Sequence, residues 1–306
     1  MNRIIRIIVI LIFAFVIMNA VTLSQEMNPL FKETKVKNYL PHMTWKEVEE
    51  ALKRTDMVII PVGSIEQHGH HLPLCTDIYA AIERCKLIAQ EADILVAPPL
   101  FVGLSEHHMG FPGTLTLSPE TFEAVLYETA QSLIRHGFKK ILFYNGHGGN
   151  TTSVNNVIQK INQTTAATAF FLNTLRLPPE EESEHYPAYD WHGGVGETSL
   201  MLYLTNSLVD MSQAVKPELT FPPYVQGVEE KLDASPQKGN LQAMLMSNLF
   251  RPKDTGKKSS TREMTNTGIF TTGNPADATI EIGKKEMDRF VKAAVEFINE
   301  WKKLEK

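Results

Sequence analysis

Two stretches of the chain gather side chains of the kind that bind divalent cations. One runs Gly63-Ser-Ile-Glu-Gln-His-Gly-His-His71 and ends in Thr76-Asp77; the other is Asn145-Gly-His-Gly-Gly-Asn150. Together they offer Glu66, His68, His70, His71, Asp77 and His147. A mixed imidazole and carboxylate set accepts zinc, manganese and iron alike. Such a site serves hydrolysis by polarising a carbonyl and activating water. The first reading is therefore a divalent-metal hydrolase in which two ions share one carboxylate.

The spacing supports this. Glu66 and His68 are two apart, so in an extended loop they point the same way, toward one ion. Asp77 opens a helix, where the positive end of the macrodipole keeps a carboxylate ionised. The three glycines around His147 let the backbone crowd close to a bound group, at Gly148 and Gly149 in particular. A third stretch, Asp190-Trp-His-Gly-Gly-Val-Gly-Glu-Thr-Ser-Leu200, adds His192 in a glycine-rich turn and Glu197 at the start of a helix. His192 is an imidazole able to transfer protons, and Glu197 is a further carboxylate for a second ion. A lone loop histidine is usually surface or filler. Here four of the ten histidines fall within residues 68–71 and at 147, beside carboxylates and glycines and just after apolar runs, and that joint pattern points to metal. Of His70 and His71, one lines the pocket and the other is structural, holding a ligand from behind. His42, His136 and His185 read as ordinary surface positions. A serine nucleophile is the competing chemistry, with Ser64 and Ser199 near histidines, but no Gly-x-Ser-x-Gly elbow is present. Gly193-Gly-Val-Gly196 lacks the lysine and preceding strand of a phosphate-binding loop.

The elements that must position these groups alternate. Thr44-Trp-Lys-Glu47 is a capping box opening a helix to about Arg54. Met57–Val62 is a buried strand stopped by Gly63, and the first cluster follows it. A helix runs from about Asp77 to Glu91, and Ile94–Ala97 is the next strand. Ser118-Pro119 caps a helix that ends at His136-Gly137. Lys140–Tyr144 is a third strand, and the second cluster follows it directly. A helix over 151–162 and a strand over 167–172 come next, then a helix over 197–204. The last helix, 284–303, is amphipathic, with Met287, Phe290, Val291, Ala294, Phe297, Ile298 and Trp301 on one face. This alternation predicts an α/β fold: a three-layer α/β/α sandwich with a mainly parallel sheet. In such sheets ligand-binding residues gather at the carboxyl ends of strands, where both clusters fall. Residues 226–267 shift to polar and charged composition and read as an excursion with a short helix over 241–249, not a second domain.

With 306 residues, 43% hydrophobic and 21% charged, the chain suits one large domain. Its net charge of −5 offers no basic surplus for nucleic acid. Arg3, Arg6 and the apolar run 7–18 read as a secretory leader over 1–24, cleaved near Ala20 or Ser24, with residues 25–306 as the domain. Left uncleaved, it would anchor the chain to a membrane; either way the protein is expected to be exported. Cys75 and Cys85, the only two cysteines, read either as a disulfide or as two unpaired thiols, and cannot build a thiolate metal site. Asn150-Thr-Thr and Asn162-Gln-Thr match glycosylation acceptors, the first discounted because it belongs to the site motif.

The chain resembles the creatininase (creatinine amidohydrolase) family. The resemblance rests on Pro61-Val-Gly-Ser-Ile-Glu-Gln-His-Gly-His-His-Leu-Pro with Thr76-Asp77, on Phe111-Pro-Gly-Thr-Leu-Thr-Leu, on Asn145-Gly-His-Gly-Gly-Asn, and on His192-Gly-Gly-Val-Gly-Glu-Thr-Ser-Leu-Met-Leu. It implies a three-layer domain, assembled as a homo-oligomer (a hexamer), with two divalent ions: zinc, manganese or iron. By the same resemblance Glu66, Asp77 and His147 hold one ion, and His68 and Asp77 the other, with Asp77 bridging. A metal-bound hydroxide attacks the amide of a small molecule, and His192 carries the proton to the leaving nitrogen. Two departures follow. Creatininases have a glutamate two residues after the histidine of the Asn-Gly-His motif, completing the second ion's shell; here that position is Gly149, and Glu197 is expected to supply the carboxylate. Creatininases also sandwich the flat creatinine ring between tryptophans, whereas 173–179 contains none and Trp191 is shifted. The Gly-Gly form of the motif occurs in relatives acting on other amides, including formamides and peptides. The expectation is an amidohydrolase of unassigned substrate, with His70, His71, Trp191, Gly148 and Gly149 around it; creatinine itself, or an exported non-catalytic binding protein, is the alternative.

Overall fold

The first helix, α1 (Trp45–Leu52), starts where Thr44 and Glu47 cap each other's backbone amides. The structure, a computed structural model, describes residues 33–177, 187, 190–220 and 260–304. The leader, His185 and the helix expected over 241–249 lie outside the described residues. Residues 33–36 belong to a unit separate from 37–306 and carry no helix or strand. Among the described residues, no helix is long and apolar enough to cross a membrane.

Strand β1 (Met57–Val62) is buried along its whole length. It is followed by α2 (Thr76–Ala92), β2 (Leu95–Val96), α3 (Pro119–Arg135), β3 (Lys140–Asn145), α4 (Thr151–Thr164) and β4 (Thr168–Phe171). Ser118 caps α3 and Gly137 leaves it with a φ of 108°, as the sequence predicts. The four strands form one parallel sheet in the order β2-β1-β3-β4. Buried strands of this kind read as continuous apolar runs because helices cover both faces. On one face Val58, Ile60, Val62, Ile141 and Phe143 pack with Phe122 and Leu126 of α3 and with Val154, Val157 and Ile161 of α4. The other face holds Tyr144, edge-on to Phe290 at 5.1 Å, and Phe170, stacked on Phe297 at 4.5 Å. Both partners lie on α6 (Ile280–Lys303). The result is the α/β/α sandwich expected. Helix α6 begins four residues earlier than its apolar stripe suggests, because Thr279 accepts the Ile282 amide and starts it.

The register decides where the chemistry goes. Val62 pairs with Asn145, the last residue of each strand, so the two motif loops leave the sheet side by side. Beyond them β5 (Asp190–His192) pairs antiparallel with β6 (Phe270–Thr271), and α5 (Val195–Thr205) follows β5. This ribbon is not apparent in the sequence: each strand is two or three residues long, and its partner is some eighty residues away. The end of the polar excursion is also not solvent-facing throughout. Thr261, Met264, Thr265 and 267–271 are buried, and they pack toward the site. Cys75 and Cys85 are both free thiols, so the unpaired reading holds and the disulfide does not.

Candidate metal centre

Glu66, in the loop after β1, has no exposure to solvent. Its Oε2 accepts the Ser105 hydroxyl, which also bonds Ser64. That bond turns Oε1 toward four imidazoles: His147 Nδ1 at 3.2 Å, His108 Nε2 at 3.6 Å, His192 Nδ1 at 3.6 Å and His68 Nε2 at 4.0 Å. Asp77, buried in the first turn of α2, places one oxygen against each of two rings. Oδ1 is 3.1 Å from His68 Nε2, and Oδ2 is 3.3 Å from His147 Nδ1. The far nitrogens of both rings are held by carbonyls, His68 Nδ1 by Glu66 at 3.1 Å and His147 Nε2 by Leu104 at 3.1 Å. A ring that donates one N–H to a carbonyl turns its other nitrogen's lone pair to whatever lies opposite.

Glu197 closes the arrangement. Its Oε2 lies 3.7 Å from His68 Nε2, and the ligand atoms of His68, Asp77 and Glu197 fall within 4.8 Å of one another. The start of α5 is built to hold it. The Asp190 carboxylate accepts the amides of Val195 at 3.1 Å and Gly196 at 2.7 Å, and the Gly193 amide donates to Glu197 Oε2 at 2.6 Å. A Cβ on Gly194 would fall onto the Asp190 carboxylate, so the turn requires glycine there.

Charge at the site is strongly coupled. Burial opposes ionisation of Glu66, yet His147 and the neighbouring imidazoles hold its carboxyl well below the usual range. Asp77 is likewise lowered, burial being overcome by His68. Burial works against a charged His68, but Asp77, Glu197 and Glu66 push it up to about 10. His147 is raised well above its ordinary value against burial by Glu66 and Asp77. Glu197 is pushed up to about 7, chiefly by withdrawal from water, although a third of its side chain stays open. Burial and then His68 depress His192 to about 3, so this ring is neutral at pH 7.

The donor set fits divalent cations. Glu66 Oε1, Asp77 Oδ2 and His108 Nε2 are buried and have no hydrogen-bond partner. Unsatisfied buried carboxylate oxygens cost free energy that a cation among them would recover. The residues present would hold one ion among Glu66, Asp77 and His147 and a second among His68, Asp77 and Glu197. The ligand atoms of Glu66 and His68 also lie within 4.8 Å of each other and of one on His192, so this pair converges as its two-residue spacing suggests.

His192 lies at the centre of an imidazole stack, 4.3 Å from both His68 and His108. Its Nε2 is 2.5 Å from the Gln67 carbonyl oxygen, which leaves Nδ1 toward Glu66. Trp191 stands beside His107 and His108 at 6.2 and 6.1 Å and edge-on to Phe270. Together with His192, Glu197, Asp190, Leu200 and Glu286 it lines a cavity of about 230 Å³. His71 is buried and bonded through Nε2 to Thr198 Oγ1 at 2.8 Å, one residue past Glu197, so it buttresses the site from behind. His70 is exposed and is not drawn into the cluster. Gly148 faces open space, whereas a Cβ on Gly149 would sit 2.5 Å from both His147 Nε2 and the Leu104 oxygen. Asn150, a glycosylation match by sequence, is fully buried, with its side chain bonded to Leu104 and Gly63.

Sequence reasoning missed His107, His108 and Gln67. The Gln67 side-chain amide donates to the Gly268 carbonyl at 2.7 Å and lies beside the His192 ring. The two histidines come from a 3₁₀ turn, Glu106–His108, and His107 joins Glu66 and His147 in a third ligand group. The available signal was the adjacent pair of histidines shortly before Phe111-Pro-Gly-Thr.

A family model described as Creatininase: Creatinine amidohydrolase matches residues 41–298. The chain is 32% identical over 206 residues to a creatinine amidohydrolase of Pseudomonas putida, covering 61% of this chain and 79% of that one. It is 34% identical over 155 residues to a mycofactocin precursor peptide peptidase of Mycolicibacterium smegmatis, covering 49% of this chain and 58% of the relative. It is 36% identical over 111 residues to a 3-dehydro-scyllo-inosose hydrolase of Thermotoga maritima, covering 36% of each. Among solved structures, a tryptophan-to-alanine mutant creatininase superposes with a TM-score of 0.65 at 25% identity, over 86% of this chain and 98% of that one. The structure described as Creatininase Mn does so at 0.59 and 25% over the same shares, and a Zn-Zn type mutant creatininase shares the fold at 0.62 and 24%, over 88% of this chain and 98% of that one.

Proposed function

The chain belongs to the creatininase family and is a hydrolase of carbon–nitrogen bonds; we propose that it is a metal-dependent amidohydrolase using two divalent ions. The observation that carries this reading is the buried convergence of Glu66, His68, Asp77, His147 and Glu197, with orphaned carboxylate oxygens turned inward. Glu66, Asp77 and His147 would hold one ion, and His68, Asp77 and Glu197 the other. When bound, the ions supply Lewis acidity for the amide carbonyl and a water made nucleophilic at neutral pH.

The remaining work belongs to the chain itself. The Gln67 carbonyl holds His192 Nε2–H, so His192 Nδ1 is the basic atom facing the cluster. Neutral at pH 7, it takes at Nδ1 a proton given up by the attacking water and delivers it to the leaving nitrogen. The cavity bordered by Trp191, His192 and Glu197 receives the substrate, with the indole as a flat wall. Gly148, facing open space, leaves backbone accessible beside it. The cavity presents one tryptophan, so its substrate is an amide other than creatinine, with formamides and short peptides as the classes to try first. The similarity to the Pseudomonas putida protein supports creatinine as the second reading. In the same proposal the protein is exported behind its leader and works as a homo-oligomer, to be tested by N-terminal sequencing and native mass measurement.

The deciding experiment is metal analysis of the purified protein with hydrolysis of cyclic amides (creatinine included), formamides and short peptides. Bound divalent metal with turnover of one class is the expected result. Absence of both metal and turnover would favour a non-catalytic binding protein and sink the proposal.

A further inference from the structure

The two ion positions are not equally furnished. The second, formed by His68 Nε2, Asp77 Oδ1 and Glu197 Oε2, has three protein donors. The first has Glu66 Oε1, Asp77 Oδ2 and His147 Nδ1, and a fourth side chain stands beside it. One ring nitrogen of His107 lies within 4.8 Å of the ligand atoms of both Glu66 and His147. Its ring is parallel to that of His147, with an interplanar angle of 6° and centroids 5.6 Å apart. The approach is built in at several points. Ser105, at the start of the turn, is tied by its hydroxyl to Glu66 and Ser64 and by its amide to Thr116 Oγ1 at 3.0 Å. The His107 carbonyl accepts the Thr261 hydroxyl at 2.9 Å, and His108 Nδ1 meets the same hydroxyl at 2.7 Å. The turn is therefore fastened to Glu66 on one side and to the buried Thr261 on the other, which holds the His107 ring beside Glu66 and His147.

We propose that His107 is the fourth protein ligand of the first ion, so that the metal centre has one closed position and one open one. Four protein donors are the pattern of a structural zinc site, and three with a free place are the pattern of a catalytic one. The cavity agrees with this division. It is lined by Glu197, a donor of the second position, and by His192. Substrate thus reaches the three-donor ion, while the four-donor ion fixes Asp77 and Glu66 in place. The inference rests on the metal-dependent reading above and adds an inequality between the two ions.

The test compares metal-free wild type with His107→Ala and His107→Gln. Zinc is titrated against a chromophoric chelator, and cobalt(II) is followed by its visible spectrum. Wild type is expected to bind two ions of unequal affinity, the tighter giving the intense bands of four-coordinate cobalt. Both variants should weaken the tight ion by about a hundredfold or more, leave the weak ion within a few-fold, and lose band intensity. Circular dichroism checks folding, and if the alanine variant does not fold the glutamine variant is read in its place. Unchanged affinity and spectrum in a folded variant would overturn the ligand assignment while leaving the metal reading intact. A wild type that binds no divalent ion would overturn both.

Discussion

Asp77 Oδ1 and His68 Nε2 meet at 3.1 Å, with neither side chain more than 3% exposed. The second Asp77 oxygen faces His147, so one carboxylate serves two imidazoles on opposite sides. Each imidazole is fastened from behind by a carbonyl. The site is consequently preorganised: whatever occupies the space between these atoms must carry positive charge, as protons or as metal.

That competition has a pH dependence. His68 is pushed to about 10, so its ring carries a proton at pH 7 in the metal-free protein, and His147 is raised in the same direction. Metal ligands must be deprotonated, so zinc uptake at pH 7 should release at least the His68 proton, and apparent affinity should rise with pH up to His68's raised value. A pH-stat titration of metal-free protein measures this; zinc binding without proton release would refute the assignment. The stability consequence has the same origin. Because His68 is raised from 6.5 to about 10, its ion pair stabilises the metal-free fold fully below pH 6.5 and loses that contribution as pH climbs through 10.

Glu197→Gln removes the carboxylate proposed above as a ligand of the second ion. The second ion should weaken by about tenfold to a hundredfold, while the first stays bound. Quantifying both ions after dialysis decides the matter. Retention of two ions at full affinity would remove Glu197 from the ligand set.

Restoring the family residue in place should fail. In Gly149→Glu the new Cβ lands 2.5 Å from His147 Nε2 and from the Leu104 oxygen. Overpacking of this kind costs about 1–3 kcal/mol and here displaces a ligand. The expected result is a lower melting temperature with weaker metal binding; a variant as stable as wild type that binds metal more tightly would show that the loop adapts.

His192→Gln should retain two ions yet lower kcat by about 10²–10⁴-fold, the range for losing a positioned proton carrier. Once a substrate is found, kinetics with parallel metal analysis checks it. Loss of metal together with activity would instead make His192 a ligand.

Thr198→Val strips the partner from His71 Nε2, a ring whose Nδ1 already lacks one. Leaving a buried donor unsatisfied costs about 1–3 kcal/mol, to be read by denaturant unfolding. Since Thr198 follows Glu197, the second ion should also loosen. Unchanged stability would mean that His71 does not support this turn.

Much of the frame was legible. The apolar runs of β1 and β3, the Thr44 and Ser118 caps and the stripe of α6 are local features, and local propensity agreed with the final fold. Both histidine clusters followed strands, so their place at one end of the sheet followed from topology alone. His107, His108 and Gln67 escaped because they matter only through contacts. No periodicity marks the 3₁₀ turn, and Thr261 and Gly268, which fasten it and Gln67, come from a segment whose polar composition suggested surface. The β5–β6 ribbon escaped because two-residue strands carry no alternation to detect.

The sequence by itself determined which chemistry was available: imidazoles and carboxylates without thiolates, set after parallel strands, in motifs specific enough to identify the family. Only the tertiary structure decided which oxygen faces which ring, that Glu197 comes within 3.7 Å of His68, and that Ser105 aims Glu66 inward. The reason is physical. Coulomb attraction between these groups depends on separations of a few ångströms and on the exclusion of water, and both are set by how distant segments pack, not by spacing along the chain.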